Sequence, residues 1–283
     1  MIDETPGRVR ILPDDARPPR FTERLAASPW FTAVASPLLL LLAWEALVRV
    51  GILDARFFPA PSSVMVELVA MLKSGALLVH TAYTVSRMAV GFLLGAVPGV
   101  LLGIMMGLSP TVRRLLQPAL ASIYPIPKVA LFPLAMLIFG LGEASKWAIV
   151  AVAVFFQVLF STLAGVVNID RVYLDVAANF RATRWQAYRT IALPAALPYI
   201  FTGCQLGLGM SLIVVVIAEN FGTEFGLGYV IWHSWQVFEV RDMYVALIVI
   251  ALLGYLSQLL VQALERVFIP WRRGTTSQAR LRT

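Results

Sequence analysis

The chain has 283 residues, of which 59% are hydrophobic and 14% charged, and it carries a net charge of +7 with a mean hydropathy of +0.79. A soluble domain averages about 25% charged residues, so this balance excludes one and points to an integral membrane protein. Apolar segments near twenty residues fit helices, which satisfy their own backbone groups in lipid, and the short alternating segments of a barrel are absent.

Residues 1–29 hold Arg8, Arg10, Arg17, Arg20 and Arg24 among prolines and aspartates, with no apolar core behind a basic start and no small-residue cleavage site. They read as a retained, partly disordered N-terminal tail rather than a signal peptide. A transmembrane region is expected over 30–271, with spans at about 30–52, 80–108, 118–140, 146–168, 195–219 and 242–267, followed by a basic tail at 272–283. Six spans put both termini on one side. The tail arginines, Arg113 and Arg114 after the second span, Arg171, Arg181, Arg184 and Arg189 after the fourth, and Arg272, Arg273, Arg280 and Arg282 after the sixth all fall there. The positive-inside bias makes that side the cytoplasm. The opposite loops hold fewer basic residues, Arg49, Arg56, Lys73 and Arg241.

Between the first two spans, "PAPSSVMVELVAMLKSG" predicts a short interfacial helix on the outer face, capped by Ser62 or Ser63 and ended by Gly75. The second span carries Gly91, Gly95, Gly99, Gly103 and Gly107 at a four-residue rhythm, a ridge on which another backbone can approach closely. The neighbour is expected in the same chain, since the helices must first pack together. Pro98 within the ridge is a bend site.

The third span opens "QPALASIYPIPKVALFPL", whose prolines at 118, 125, 127 and 133 break or kink its first half. Lys128 would then sit roughly 15 Å deep, near the bilayer centre. It either counters an anionic solute beside a watery path or snorkels and pairs structurally; the sequence leaves both open. Tyr124, Lys128, Gln157 and Gln205 are the candidate translocation-path residues, although an amide at mid-membrane more simply bonds a neighbouring helix. Glu45, Arg87 and Glu219 lie toward the outer ends of their spans and read as interfacial salt bridges. His80, His233 and the lone Cys204 lack metal-ligand spacing, so no metal is expected.

Between the fourth and fifth spans the polar stretch "DVAANFRATRWQAYRTIALPAALP" projects into the cytoplasm. Thr183 and Gln186 fit a capping box opening a short helix on which Trp185, Tyr188 and Ala192 share a face, apart from Arg184 and Arg189. "YLDVAANF" can form another short helix before it. Two such helices suit a knob for another protein's groove, or an amphipathic loop on anionic headgroups; both remain open.

The stretch resembles the EAA loop of permease subunits of binding-protein-dependent ABC importers: Glu-Ala-Ala, three residues, Gly, nine residues, Ile, one residue, Leu-Pro. Here Asp175, Val176 and Ala177 stand first, Arg181 at the glycine, Ile191 after the same gap, then Leu193 and Pro194. Between Phe58 and Trp271, "FFPAPSSV", "SRMAVGFLLGAVPGVLLGIMMGLS", "PIPKVALFPLAMLIFGLGEASK", "LPAALPYIFTG" and "AENFGTEFGLG" are similar to the nitrate, sulfonate, taurine and bicarbonate branch. The resemblance implies an all-α polytopic fold of the type I importer kind, with about six transmembrane helices and a two-helix cytoplasmic coupling loop over about 172–194. It further implies a bacterial inner-membrane, multi-pass subunit with cytoplasmic termini, paired with a second copy as a homodimer. Two ATP-binding subunits would dock on the loop, where Asp175, Val176, Ala177, Arg181, Thr183, Arg184, Trp185, Ile191, Leu193 and Pro194 couple them, and an extracytoplasmic binding protein would deliver a small anion. No nucleic-acid partner is implied.

Two departures stand out. Asp175 keeps the charge of the usual Glu with a shorter reach, and Arg181 strains or rebuilds the turn if the usual glycine has positive φ. The chain lacks a Gly-x-x-x-x-Gly-Lys-Ser/Thr phosphate loop, so ATP and Mg are expected on the partner subunit and no cofactor in this chain. An ion-gradient-driven carrier is the rival reading. An intramembrane enzyme is a weaker one, because neither histidine stands beside a nucleophile.

Overall fold

The computed structural model describes residues 29–169, 172, 175–176, 179–183, 186 and 188–271, with side chains from residue 35 onward. Every regular element among the described residues is helical. The chain divides into two units, with the boundary between Ser62 and Ser63.

In the first unit, α1 (Pro29–Arg49) carries the run Leu38 to Leu42, exposed as lipid contact requires. Near its end the Glu45 carboxylate pairs with Arg49 at 2.7 Å and accepts the Ser62 amide at 3.0 Å and hydroxyl at 2.8 Å. The next helix, α2, runs over Pro61–Lys73, so Ser62 and Ser63 lie inside its first turn rather than at the cap position before it. Pro61 starts it with a preset φ and no amide to satisfy, and Glu45 supplies the anion that a helix N-terminus favours. In the connecting loop, hydrogen bonds from the Arg56 side chain and amide hold the exposed Asp54 carboxyl below its usual range.

In the second unit, Gly75 takes φ +78 after α2, the left-handed turn that its missing Cβ allows, and α3 (Ala76–Leu108) follows. The middle of the bundle is α6 (Glu143–Val167), with Ile149, Val150, Ala153, Val154, Val158, Leu159 and Val166 buried along it. The glycine ridge of α3 lies on α6 of the same chain. A Cβ at Gly99 would stand 2.9 Å from the Phe155 carbonyl oxygen, and one at Gly103 2.9 Å from that of Leu159 and 2.7 Å from Thr162 Cβ. Gly91 faces Val150, Gly95 faces Ala151 and Val154, and Gly107 faces Val166, so the whole ridge serves one contact. On the other flank α7 (Leu193–Ala218) brings Gly203 against Ser161 while Gly165 of α6 receives Tyr199. Small residues on both sides let three backbones approach where lipid gives no hydrophobic drive for association. Gly103→Leu is expected to lower stability by about 3 kcal/mol, because backbone rather than a flexible side chain blocks the added atoms; thermal unfolding in detergent measures it.

The expected third span is broken rather than kinked. Ser109 accepts the Val112 amide at 3.4 Å and caps α4 (Pro110–Ile123), so Arg113 and Arg114, expected in a loop, lie in its first turn. After Tyr124 to Pro127 the chain resumes as a 3₁₀ turn, Lys128–Leu131, and α5 (Phe132–Phe139), at 88° to α4. Pro125 and Pro127 explain the break, since neither donates a backbone bond.

The expected 219–242 loop also contains α8 (Leu227–Val237), before α9 (Val240–Phe268). Val64 and Leu68 of α2, Leu227 and Val230 of α8, and Val245 and Ala246 of α9 form a separate apolar cluster. Among the described residues α3, α6, Tyr188–Ala218 and α9 are long and apolar enough to cross a bilayer, and the bent pair adds a fifth span. The first expected span falls on α1, outside that set, so four or five of the six expected spans are supported.

Candidate functional site

Three constellations stand out. The first is the polar stretch before α7. Asp175 and Val176 are helical and exposed, and the Phe180 amide returns to the Val176 carbonyl at 3.0 Å, closing one turn. Phe180 is 83% exposed, an aromatic ring largely uncovered among the described residues. Arg181 follows at φ +51. A branched-at-Cα residue in the left-handed region costs roughly 1–2 kcal/mol, so the turn keeps the geometry that glycine favours and carries the strain. Arg181→Gly is therefore expected to raise stability by about 1 kcal/mol, read as an upward shift in thermal unfolding.

The capping box is formed: the Thr183 amide donates to Gln186 Oε1 at 2.8 Å and the Gln186 amide to Thr183 Oγ1 at 3.3 Å. A π turn, Tyr188–Ala192, then runs without interruption into α7, giving a single helical rod over Tyr188–Ala218. Tyr188 and Leu193 pack on Ile104 of α3, Val166 of α6 and Ala196 and Ile200 of α7. Ile191 is half-buried in the π turn and Pro194 sits in the first turn of α7, where its missing amide is harmless. Ala177, Arg184 and Trp185 lie outside the described residues.

The second is the elbow between α4 and α5. Lys128 is half-buried, and its ammonium donates to the Tyr124 carbonyl and, at 2.8 Å, to that of Ile126. It also stands 4.8 Å from the Phe156 ring centre and 5.2 Å from that of Tyr124. The break thus exposes carbonyls that the lysine satisfies, while the two aromatic rings attract its charge. Gln157 follows Phe156 on α6 and is half-buried. Gln205 belongs elsewhere: its Nε2 donates to Glu265 at 3.2 Å and its backbone carbonyl accepts from Gln258 at 3.2 Å, tying α7 to α9.

The third constellation escapes sequence reasoning. Arg87 and Glu219 do pair, at 2.9 Å, but with 1% and 0% side-chain exposure they are buried rather than interfacial. Arg87 also grips Glu143 by two bonds of 2.7 and 2.6 Å, the Phe225 carbonyl at 2.6 Å and Thr223 at 3.1 Å, which uses all its donors. Glu219 further accepts from Thr84 at 2.9 Å and the Gly228 amide at 2.9 Å, and Thr84 accepts the Leu227 amide at 2.8 Å. Beside them the buried Lys146 donates to carbonyls of Leu141, Gly142 and Gly222 at 3.1, 3.2 and 3.4 Å. Two cations and two carboxylates thereby fasten the 140–142 and 219–228 turns to α3 and α6. The signal lay in "AENFGTEFGLG", where a carboxylate stands among glycines: Gly226, at φ +124, leaves no room for a Cβ beside Glu219.

His80 accepts the Gly226 amide at 3.2 Å and stacks on Tyr229, whose ring also meets His233, so both histidines sit in packing roles. Among the described residues no group of three or more His, Cys, Asp or Glu could hold a metal ion.

Helices seamed by glycine, an elbow of freed carbonyls and a polar stretch fused to a span define a polytopic membrane transport subunit. The profile of the binding-protein-dependent transport system inner membrane component matches residues 99–274, and the chain belongs to that family, as the membrane subunit of an ABC importer. It is 32% identical over 243 residues to a candidate aliphatic sulfonates transport permease protein of Bacillus subtilis, covering 86% of this chain and 88% of that one. Identity to the taurine transport system permease protein of Escherichia coli is 32% over 237 residues, 82% of this chain and 86% of that one. The formylaminopyrimidine transport permease protein of Halalkalibacterium halodurans is 27% identical over 236 residues, 83% of this chain and 94% of the other. Members of the family are transporters rather than catalysts, and an ATPase and a binding protein belong to such systems in general.

Proposed function

We propose that this chain forms the translocation path for a small anion of the sulfonate or taurine class, nitrate and bicarbonate being the other members of that class, and couples it to a separate ATPase. The observation that carries the reading is the continuous helix from the π turn at Tyr188 into α7, preceded by the Thr183–Gln186 capping box. Force applied at 188–192 has no flexible joint in which to dissipate, because helical hydrogen bonding continues into a rod that packs against α6. Asp175, Val176, Phe180 and Arg181 would meet the ATPase groove, with the exposed Phe180 ring as its apolar anchor. ATP and Mg would bind on that partner, so this chain needs no cofactor. Lys128, held among the described residues by carbonyls and aromatic rings rather than by a carboxylate, would attract an anion passing the elbow, with Tyr124 and Gln157 nearby.

In this reading two copies of the chain form the path in a bacterial inner membrane, with both termini and the 172–194 stretch in the cytoplasm, and a binding protein delivers solute from outside. Nucleotide binding biases outward-open against inward-open states, as any ligand with differential affinity does. The test is co-purification with the ATPase subunits, followed by ATPase activity in liposomes with the binding protein and taurine or an alkanesulfonate. Stimulation by solute supports the reading; uptake by the lone chain under an ion gradient without ATP overturns it.

A further inference from the structure

A cavity of about 400 Å3 opens between α4 and the last turns of α6. Its apolar wall is Phe160, Leu163, Ala164 and Val167, whose spacing places them on one face of α6. Arg113 and Gln117, one turn apart on α4, and Asn168, which ends α6, supply the polar side. The gap has a local cause: Val112, Leu116 and Leu120 of α4 pack on Phe156, Leu159 and Leu163, so the neighbouring 113/117 stripe is carried past α6 rather than onto it. Arg113 is half-buried, and among the described residues nothing pairs with its guanidinium. Its neighbour Arg114 is exposed and donates to the Pro110 carbonyl at 3.3 Å.

A half-buried guanidinium beside an apolar wall, with no acceptor among the described residues, has donors that an entering anion can satisfy. The volume lies in the lower part of the range for small-molecule sites. We propose that this cavity binds an anionic head, carboxylate, sulfonate or phosphate, on a short apolar chain, with Arg113 gripping the head, the Gln117 and Asn168 amides donating beside it, and the chain lying along the α6 face. Such chemistry is offered both by a free organic anion and by the headgroup of an acidic phospholipid. The cavity shares no lining residue with the Lys128 elbow, and its occupancy does not depend on which solute the importer carries.

The full chain in phosphatidylcholine nanodiscs is titrated with hexanesulfonate and followed by thermal shift; in a parallel arm phosphatidylglycerol is mixed in and retained lipid is counted by native mass spectrometry. Saturable binding is expected in at least one arm, and which arm responds identifies the source. Arg113→Gln should weaken it about tenfold, the worth of one charge-assisted contact, while Arg114→Gln leaves it unchanged. Ala164→Phe, which fills the cavity and keeps every charge, should abolish it, and carries the test should Arg113→Gln fail to fold. Absence of saturable binding in both arms, equal weakening by Arg114→Gln, or full binding in Ala164→Phe overturns the proposal.

Discussion

Glu219→Ala is expected to destabilise the chain by about 3–5 kcal/mol, the largest single-residue effect in the molecule. The substitution strands the Arg87 guanidinium with one carboxylate instead of two and removes the acceptor for Thr84 and the Gly228 amide, all with negligible access to water. A buried charge that loses its partner keeps the desolvation cost and forfeits the attraction. Removing both charges removes the cost too, so Arg87→Met combined with Glu219→Met should recover much of the loss, with Glu143, 40% exposed, left to water. Thermal unfolding of Arg87→Met, Glu219→Met and the double variant gives the coupling energy directly. Strict additivity would mean that the pair contributes nothing as a pair.

A glycine inserted between Ala192 and Leu193 is expected to abolish solute uptake while leaving the ATPase subunit bound and hydrolysing ATP. One extra residue turns everything before it by 100° about the helix axis, carrying Tyr188 off its seat on Ile104, Val166, Ala196 and Ile200. The proposed docking surface over 175–186 should survive, since the Thr183–Gln186 capping box and the Val176–Phe180 hydrogen bond are internal to it. Uptake and co-purification measured on the same preparation separate the two functions. Uptake that persists at the ordinary rate would show that the rod does not carry the force.

Much of this architecture was legible from residue spacing. The α3–α6 seam follows from five glycines at one interval, because only a close backbone contact requires that pattern, and the Thr183–Gln186 box follows from two residue types three apart. The elbow was only half legible. Its prolines mark a break, but Ser109–Pro110 is also a helix-start signal, and weighing Arg113 and Arg114 as loop charges hid the helix that begins there. α8 was hidden because 11 apolar-to-polar residues between two spans have no length signature of their own. Arg87 and Glu219 stand 132 residues apart, a separation at which side-chain pairing leaves no periodic trace, and each alone looks like an ordinary membrane-edge charge.

The twin glycine seams on α6 have a mechanical corollary. Shape-matched backbones in direct apposition resist sliding, because any axial slip drives a carbonyl into a Cα or a valine branch. α3, α6 and α7 therefore form a single stiff plank, and if the proposed path opens alternately at its two ends, the flexing falls to the elbow at Tyr124–Pro127.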